Sequence, residues 1–202
     1  MRQIYELRKS NNPPVSGEES MYMVIASQCM DKAEQNRILQ EVLAERRGQE
    51  GPAAGTRLML IGSEDDDTEF VRMAESMGAS IVTDDHCTGT RYFWGEAPAA
   101  ESPLASLADR YLQKVPCPEK DFDGRVRWQH IFRLIEEYRV EGALLIQQKF
   151  CDPHEFDIPV LTKVLQQEKG IPCLFLEFDV TVPAGQFRTR LEAFLEMLSL
   201  GV

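Results

Sequence analysis

Cys87, Cys117 and Cys151 are the residues of this chain best suited to chemistry. They stand in Asp84-Asp85-His86-Cys87-Thr88-Gly89-Thr90-Arg91, in Val115-Pro116-Cys117-Pro118 and in Lys149-Phe150-Cys151-Asp152-Pro153. Their wide spacing matches no zinc finger and no ferredoxin run. Turn and polar residues flank each thiol, whereas an inert structural cysteine is usually buried among apolar neighbours. If the fold brings the three loops together, three thiolates meet at one edge of a sheet. That set suits an iron–sulfur cluster with one iron left open, or a zinc site with three thiolate ligands. His86 and His154 lie close to two of the cysteines, so a zinc site of three cysteines and one histidine stays open. The plainer reading makes both histidines loop residues or donors to the ligands. Cys29, on a helical pattern, and Cys173, inside a strand, are assigned to the core.

The elements that must position these thiols alternate from Arg57 onward. Leu58-Met59-Leu60-Ile61-Gly62 is a continuous apolar run, as expected of a parallel strand buried on both faces. Further strands are predicted over 79–83, 142–146 and 172–177. Helices are predicted over 66–77, 103–113, 122–139, 156–168 and 185–199. The alternation implies right-handed crossovers and an α/β fold, a parallel four-stranded doubly wound (Rossmann-like) sheet in the order 2-1-3-4. Ligands of such sheets bind beyond the carboxyl ends of the strands. Cys87 follows the second strand and Cys151 the third, so both fall on that edge. Cys117 reaches it only if the long connection 88–121 folds back.

Before this domain, residues 1–50 read as a helical segment, with Ser16 and Glu19 spaced as a capping box and a break near Asp31. Gly48 to Gly55 reads as a linker, which gives a helical segment 1–50 and an α/β domain 56–202. An apolar stripe including Met21, Met23, Val24 and Ile25 is expected to lie exposed on the helical segment.

Composition narrows the function. A net charge of −11 argues against nonspecific nucleic-acid binding. No run approaches the roughly 18 apolar residues of a membrane span, and the first residues lack a signal-peptide apolar region. A cytoplasmic protein with reduced thiols or metal ligands follows. The first strand-to-helix turn, Gly62-Ser63-Glu64-Asp65-Asp66-Asp67, carries four acids where a nucleotide fold needs free amides. It reads as helix capping, and a nucleotide site there is rejected. Asp84-Asp85 and Asp152-Pro153-His154-Glu155 read as strand-end turns and helix caps. Arg110, Arg188 and Arg190 are open to two readings, ordinary helix surface or contacts to a ligand's phosphates. Tyr92-Phe93-Trp94 either shields a cluster or packs the core.

Four segments carry a family resemblance. They are residues 84–94 (DDHCTGTRYFW), 108–118 (ADRYLQKVPCP), 149–153 (KFCDP) and 185–196 (GQFRTRLEAFLE). Together they resemble the C-terminal half of a subunit from the 2-hydroxyacyl-CoA dehydratase / benzoyl-CoA reductase family, from about residue 13 to the end. The aromatic run after Cys87 leans the resemblance toward the reductase branch. It implies that Cys87, Cys117 and Cys151 hold one [4Fe–4S] cluster. It also implies a related cluster-bearing subunit as partner, a separate ATP-hydrolysing iron–sulfur activator, and an acyl-CoA thioester reduced through radical intermediates. Family subunits are roughly twice this length, with another α/β domain ahead of the part seen here. The resemblance therefore makes the chain a truncated form or the partner of a separate N-terminal polypeptide. The competing readings are an electron-transfer or cluster-scaffold module without its own substrate, and a zinc-stabilised binding domain.

Overall fold

The computed structural model describes residues 1–99, 102–121, 125–179 and 184–201. Four strands form one parallel sheet in the order β2-β1-β3-β4: β1 (Thr56–Gly62), β2 (Ala79–Asp85), β3 (Gly142–Gln148) and β4 (Cys173–Phe178). The expected strand order is therefore observed. β1 and β3 are central and read as near-continuous apolar runs because helices cover both faces. One face packs Met59, Ile61, Val82 and Leu145 against α7 (Val126–Tyr138) and α8 (Asp152–Glu168). The other packs Leu58, Leu60, Ile81 and Leu144 against α4 (Thr68–Ser76) and α9 (Ala184–Leu200). Strand residues alternate between these two cores, as the pleat requires.

The first helices belong to the same packing. α1 (Arg2–Leu7) buries Ile4 and Tyr5, and α2 (Gly17–Cys29) buries Met21 and Val24. Tyr5 and Val24 join the α7 core, and Met21 joins the α4 core. The expected exposed stripe is thus corrected: Met21 and Val24 are core residues, and Met23 and Ile25 are partly buried against neighbouring clusters. The helical period holds, but its apolar face is covered by the sheet domain itself. Ser16 forms the capping box with Glu19, and Asp31 caps α3 (Lys32–Arg46), which explains the break between the two helices.

One helix start differs from expectation. α8 begins at Asp152, directly after Cys151, four residues earlier than its apolar pattern suggests. Pro153 sits in its first turn, where a missing N–H costs nothing. α7 is described from Val126, and the expected start at 122 lies outside the described residues. Between β2 and α7 run α5 (Thr90–Phe93), α6 (Pro103–Gln113) and a short 3-10 turn over Pro118–Lys120. α6 buries no residue; Leu104, Leu107, Tyr111 and Leu112 are exposed on it. Cys29 is also exposed, at the end of α2, which corrects its assignment to the core.

A candidate cysteine-lined site at the sheet edge

The carboxyl end of β1 organises the site. Gly62 has φ +153°, and a side chain there would run into the Ile146 carbonyl of β3. Glycine is needed because two backbones approach too closely for a Cβ. The following Ser63 is tied to β3 on both sides: its N–H donates to Ile146 O at 3.1 Å, and its Oγ accepts from Gln148 N–H at 2.7 Å. Its own carbonyl accepts from Cys87 N–H at 3.3 Å. One two-residue turn therefore fixes the Cys87 loop against the end of the strand that leads to Cys151.

Cys151 is the N-cap residue of α8, and its carbonyl accepts from His154 and Glu155 N–H. Cys117 caps the 3-10 turn, which packs against α8. The connection after Cys87 thus folds back, and Cys117 arrives at the edge that Cys87 and Cys151 share. Cys87 and Cys151 each sense the neighbouring thiols. Burial pushes the Cys87 thiol up, Arg91 pulls it down, and Cys117 pushes it up again. Burial likewise raises Cys151, and both Cys87 and Cys117 add to that rise. Cys87 is exposed as a residue, and its sulfur contacts the buried Arg91. Among the described residues no three His, Cys, Asp or Glu side chains stand close enough to share one metal ion.

Beneath the thiols lies a chain of buried charges. Arg91, 3% exposed, donates from Nη2 to the Gly62 carbonyl, contacts Cys87 Sγ at 3.4 Å and meets His154 Nε2 at 3.1 Å. Its Nε faces Asp85 Oδ1 at 3.7 Å. Asp85, with no exposure, accepts from Arg127 Nε at 2.6 Å through Oδ2. Arg127 reaches on to Asp157, which also accepts from Trp128 Nε1 at 2.9 Å. Charges alternate along Arg91, Asp85, Arg127 and Asp157, so none is buried alone. Burial disfavours the Asp85 carboxylate, but Arg127 and Arg91 outweigh it and hold its pKa below the usual value. Burial, with Arg127 and Arg91 beside it, pushes His154 down to about 2, so its ring is neutral. Nε2 must then accept from Arg91, which leaves the proton on Nδ1, and Nδ1 is buried without a partner.

The reading of Asp84-Asp85 as strand-end turns misses this network. Asp84 does serve the turn, accepting from Thr90 N–H, but it also accepts from Tyr5 Oη in the core. Asp85 ends β2 pointing into the charge chain. The signal available in the sequence was two adjacent acids ending a buried strand, with arginines at 91 and 127 in the covering helices. The aromatic run packs inward: Phe93 meets Tyr5 with ring centroids 4.9 Å apart, and Trp94 meets His130 at 5.3 Å. The acidic turn after β1 caps α4 through Asp67, which accepts from Phe70 N–H. Phe150, next to Cys151, has φ +66° and is 88% exposed, and Phe156 is exposed one turn into α8.

Comparison with known proteins agrees with the family resemblance. The family described as 2-hydroxyglutaryl-CoA dehydratase, D-component, matches residues 1–198. The chain is 28% identical over 179 residues to the (R)-phenyllactyl-CoA dehydratase beta subunit of Clostridium sporogenes, covering 88% of this chain and 47% of that protein. It is 32% identical over 124 residues to the (R)-2-hydroxyglutaryl-CoA dehydratase beta subunit of Acidaminococcus fermentans, covering 59% and 32%. It is 21% identical over 193 residues to a benzoyl-CoA reductase subunit of Thauera aromatica, covering 93% and 49%. The chain spans about half the length, or less, of these relatives. Among the described residues no helix is long and apolar enough to cross a membrane.

Proposed function

Since the chain belongs to the 2-hydroxyglutaryl-CoA dehydratase D-component family, we propose that it is the iron–sulfur part of an acyl-CoA dehydratase or reductase, with Cys87, Cys117 and Cys151 as ligands of one [4Fe–4S] cluster. The observation that carries this reading is the arrival of three thiols from three separate loops within mutual electrostatic range at the carboxyl edge of the sheet. When bound, such a cluster supplies one-electron chemistry and an iron without a protein ligand, open to an oxygen of the substrate. This chain's own residues hold and tune that group. Gly62 and Ser63 set the distance between two ligand loops. Arg91 places a cationic donor on the Cys87 sulfur, and Asp85 with Arg127 fixes that guanidinium from behind.

Identity to the two dehydratase subunits, at 28% and 32%, exceeds the 21% to the reductase subunit. That favours removal of water from a 2-hydroxyacyl thioester over reduction of an aromatic ring. The relatives are named as subunits, and α6 leaves a row of apolar side chains exposed, a pattern that marks partner surfaces. A related subunit and an ATP-hydrolysing electron donor complete the proposed cytoplasmic assembly. The second reading is an electron-transfer or cluster-scaffold module without its own substrate. Anaerobic reconstitution followed by iron and sulfide analysis tests the cluster. Turnover of 2-hydroxyacyl-CoA and benzoyl-CoA esters by the complex isolated from its host, with reductant and ATP, tests the reaction. Iron binding without turnover of any thioester would favour the second reading.

A further inference from the structure

Residues 148–151 form a β-turn between β3 and α8, in which Cys151 N–H donates to Gln148 O at 3.2 Å. Lys149 keeps a negative φ and Phe150 has φ +66°. That is the type II pattern, whose third residue is ordinarily glycine or asparagine. A bulky side chain in this conformation is an outlier, because its Cβ crowds the neighbouring carbonyl. The turn is not free to relax. Ser63 Oγ accepts from Gln148 N–H at 2.7 Å, and Gln147 Nε2 donates to the carbonyls of Gln148 and Cys151 at 2.7 and 3.2 Å. The Cys151 carbonyl also accepts the first N–H groups of α8. Strand, side chain and helix together fix the backbone on both sides of Phe150.

Packing does not account for the phenylalanine either. Two other non-glycine residues have positive φ among the described residues, and each has a partner for its side chain. Arg125 lies over the Trp128 ring at 4.2 Å, and Arg139 donates to Asn11 Oδ1 at 2.7 Å. The Phe150 ring is 88% exposed and stacks on no aromatic ring or cation among the described residues. An exposed apolar side chain alone is ordinary. A strained backbone alone can be offset by burial. Phe150 has the strain without the burial, so folding gives no reason for a ring where glycine would serve better. Strain that packing does not offset is a pointer to function. The position of the ring says which function. It directly precedes Cys151 at the carboxyl edge of the sheet, where ligands of parallel sheets bind.

We propose that Phe150 is a specificity-determining contact: its ring takes the apolar part of the molecule that reaches the thiols, and favours aromatic groups over small ones. Naming that part as the acyl side chain of a thioester rests on the function proposed above. The contact itself rests on the turn. A ring on a rigid turn meets an apolar group with little freedom left to lose.

The test is competitive alkylation of the iron-free 202-residue chain by N-phenylmaleimide and N-ethylmaleimide, read at each cysteine by peptide mass spectrometry. The ratio of the two rates at one thiol cancels its thiolate fraction, which both reagents share. Cys29, exposed at the end of α2, is the internal reference. The phenyl-to-ethyl ratio at Cys151 should exceed that at Cys29 by about threefold or more, the size of an aromatic contact. Phe150→Gly and Phe150→Asn should bring the Cys151 ratio down to the Cys29 value, and Phe150→Tyr should keep it. Phe150→Gly should also unfold at the same urea concentration as the parent or a higher one. A parent ratio no higher at Cys151 than at Cys29 would overturn the proposal, as would an unchanged ratio in the folded Gly and Asn variants. So would a Gly variant that unfolds at lower urea, since the ring would then be holding the fold. In the complex isolated from its host, Phe150→Gly should lower kcat/KM for a phenyl-bearing 2-hydroxyacyl-CoA at least about threefold more than for a methyl-bearing one. Equal losses would overturn the acyl assignment. Absence of turnover with either ester would count against the function proposed above, and the labelling of the iron-free chain would still decide the role of the ring.

Discussion

Two buried arginines sit at opposite ends of β1 and are treated differently. Arg57, at the start of the strand, donates from Nε to Tyr138 O, from Nη1 to Ser10 O and from Nη2 to Arg8 O, at 2.8 to 3.0 Å. Its partners are neutral carbonyls, and they stitch α1 and the end of α7 to the sheet. Arg91, at the far end, faces a carboxylate, a neutral imidazole, a carbonyl and a thiol. Around it, Arg91 Nε, Arg127 Nη2, Asp85 Oδ1, His154 Nδ1 and Gln147 Oε1 are buried without hydrogen-bond partners. At the start of the strand the arginine itself is spent on carbonyls, although Arg8 Nε, Arg8 Nη1 and Tyr138 Oη near it are also buried without hydrogen-bond partners. At the far end the arginine itself keeps an unpartnered nitrogen, beside the Cys87 thiol.

Breaking the cysteine end has the largest expected effect. Cys87→Ser, Cys117→Ser or Cys151→Ser should remove most of the about four irons and four sulfides per chain that the proposed cluster holds. Cys29→Ser and Cys173→Ser should leave the count unchanged, as colorimetric iron and sulfide assays would show. Burial has pushed the Cys173 thiol to about 12, so it is no ready ligand. Full iron binding by a Cys87/Cys151 double variant would overturn the assignment.

The second contrast separates stability from cluster retention. Asp85→Asn leaves Arg91 without its carboxylate and takes one of two from Arg127, and should cost about 3–5 kcal/mol in urea unfolding. Arg57→Met orphans three carbonyls and should cost about 3 kcal/mol, but its reconstituted iron content should match the parent. Loss of iron in Arg57→Met at a temperature where the variant is folded would erase the distinction between the two ends.

The third concerns pH. His154 is held to about 2 in the folded chain, below its unfolded value of about 6.5. The unfolded state therefore takes up a proton first as pH falls, and stability is lost below about pH 6.5 at about 1.4 kcal/mol per unit. Asp65 acts in the opposite sense. Burial raises its carboxyl to about 6, so the folded chain is protonated first and gains stability as pH falls from there toward 3.8. Unfolding of the parent and of His154→Gln at pH 7 and pH 5 isolates the histidine. The parent should lose about 2 kcal/mol more than the variant over that interval. Equal losses would show that His154 takes up its proton equally in the folded and unfolded chain.

The smallest effect is electrical. Arg91→Gln removes a positive donor from the Cys87 sulfur, which favours the more negative, reduced cluster less. The midpoint potential should fall by on the order of 100 mV, the equivalent of one hydrogen bond to a charged group for a one-electron couple. Redox titration followed by electron paramagnetic resonance measures it. An unchanged potential would make Arg91 a structural residue like Arg57.

Much of this was legible before any coordinates. The continuous apolar runs announced a parallel sheet, and the motifs singled out three cysteines that the fold then brings to one edge. The return of Cys117 was not legible, because it depends on a 3-10 turn finding α8 rather than on any periodicity. The charge chain was hidden for a related reason. Asp85, Arg91, Arg127 and Asp157 come from four elements, and only the packed fold makes them neighbours. The reading of Met21 and Val24 as exposed failed because a helical face shows that it must be covered but not by what.

The turn at Gly62 and Ser63 bears on the order of assembly. Small zinc domains fold around their ion, and the metal supplies the order. Here a glycine whose close approach admits no side chain, and a serine bonded to both neighbouring loops, set two of the three thiols in place using protein groups alone. If the proposed cluster binds there, its insertion is expected to follow folding of these two loops rather than to drive it. Gly62→Ala should upset that sequence without touching a ligand, because β1 and β3 would have to part where the two thiol loops are joined.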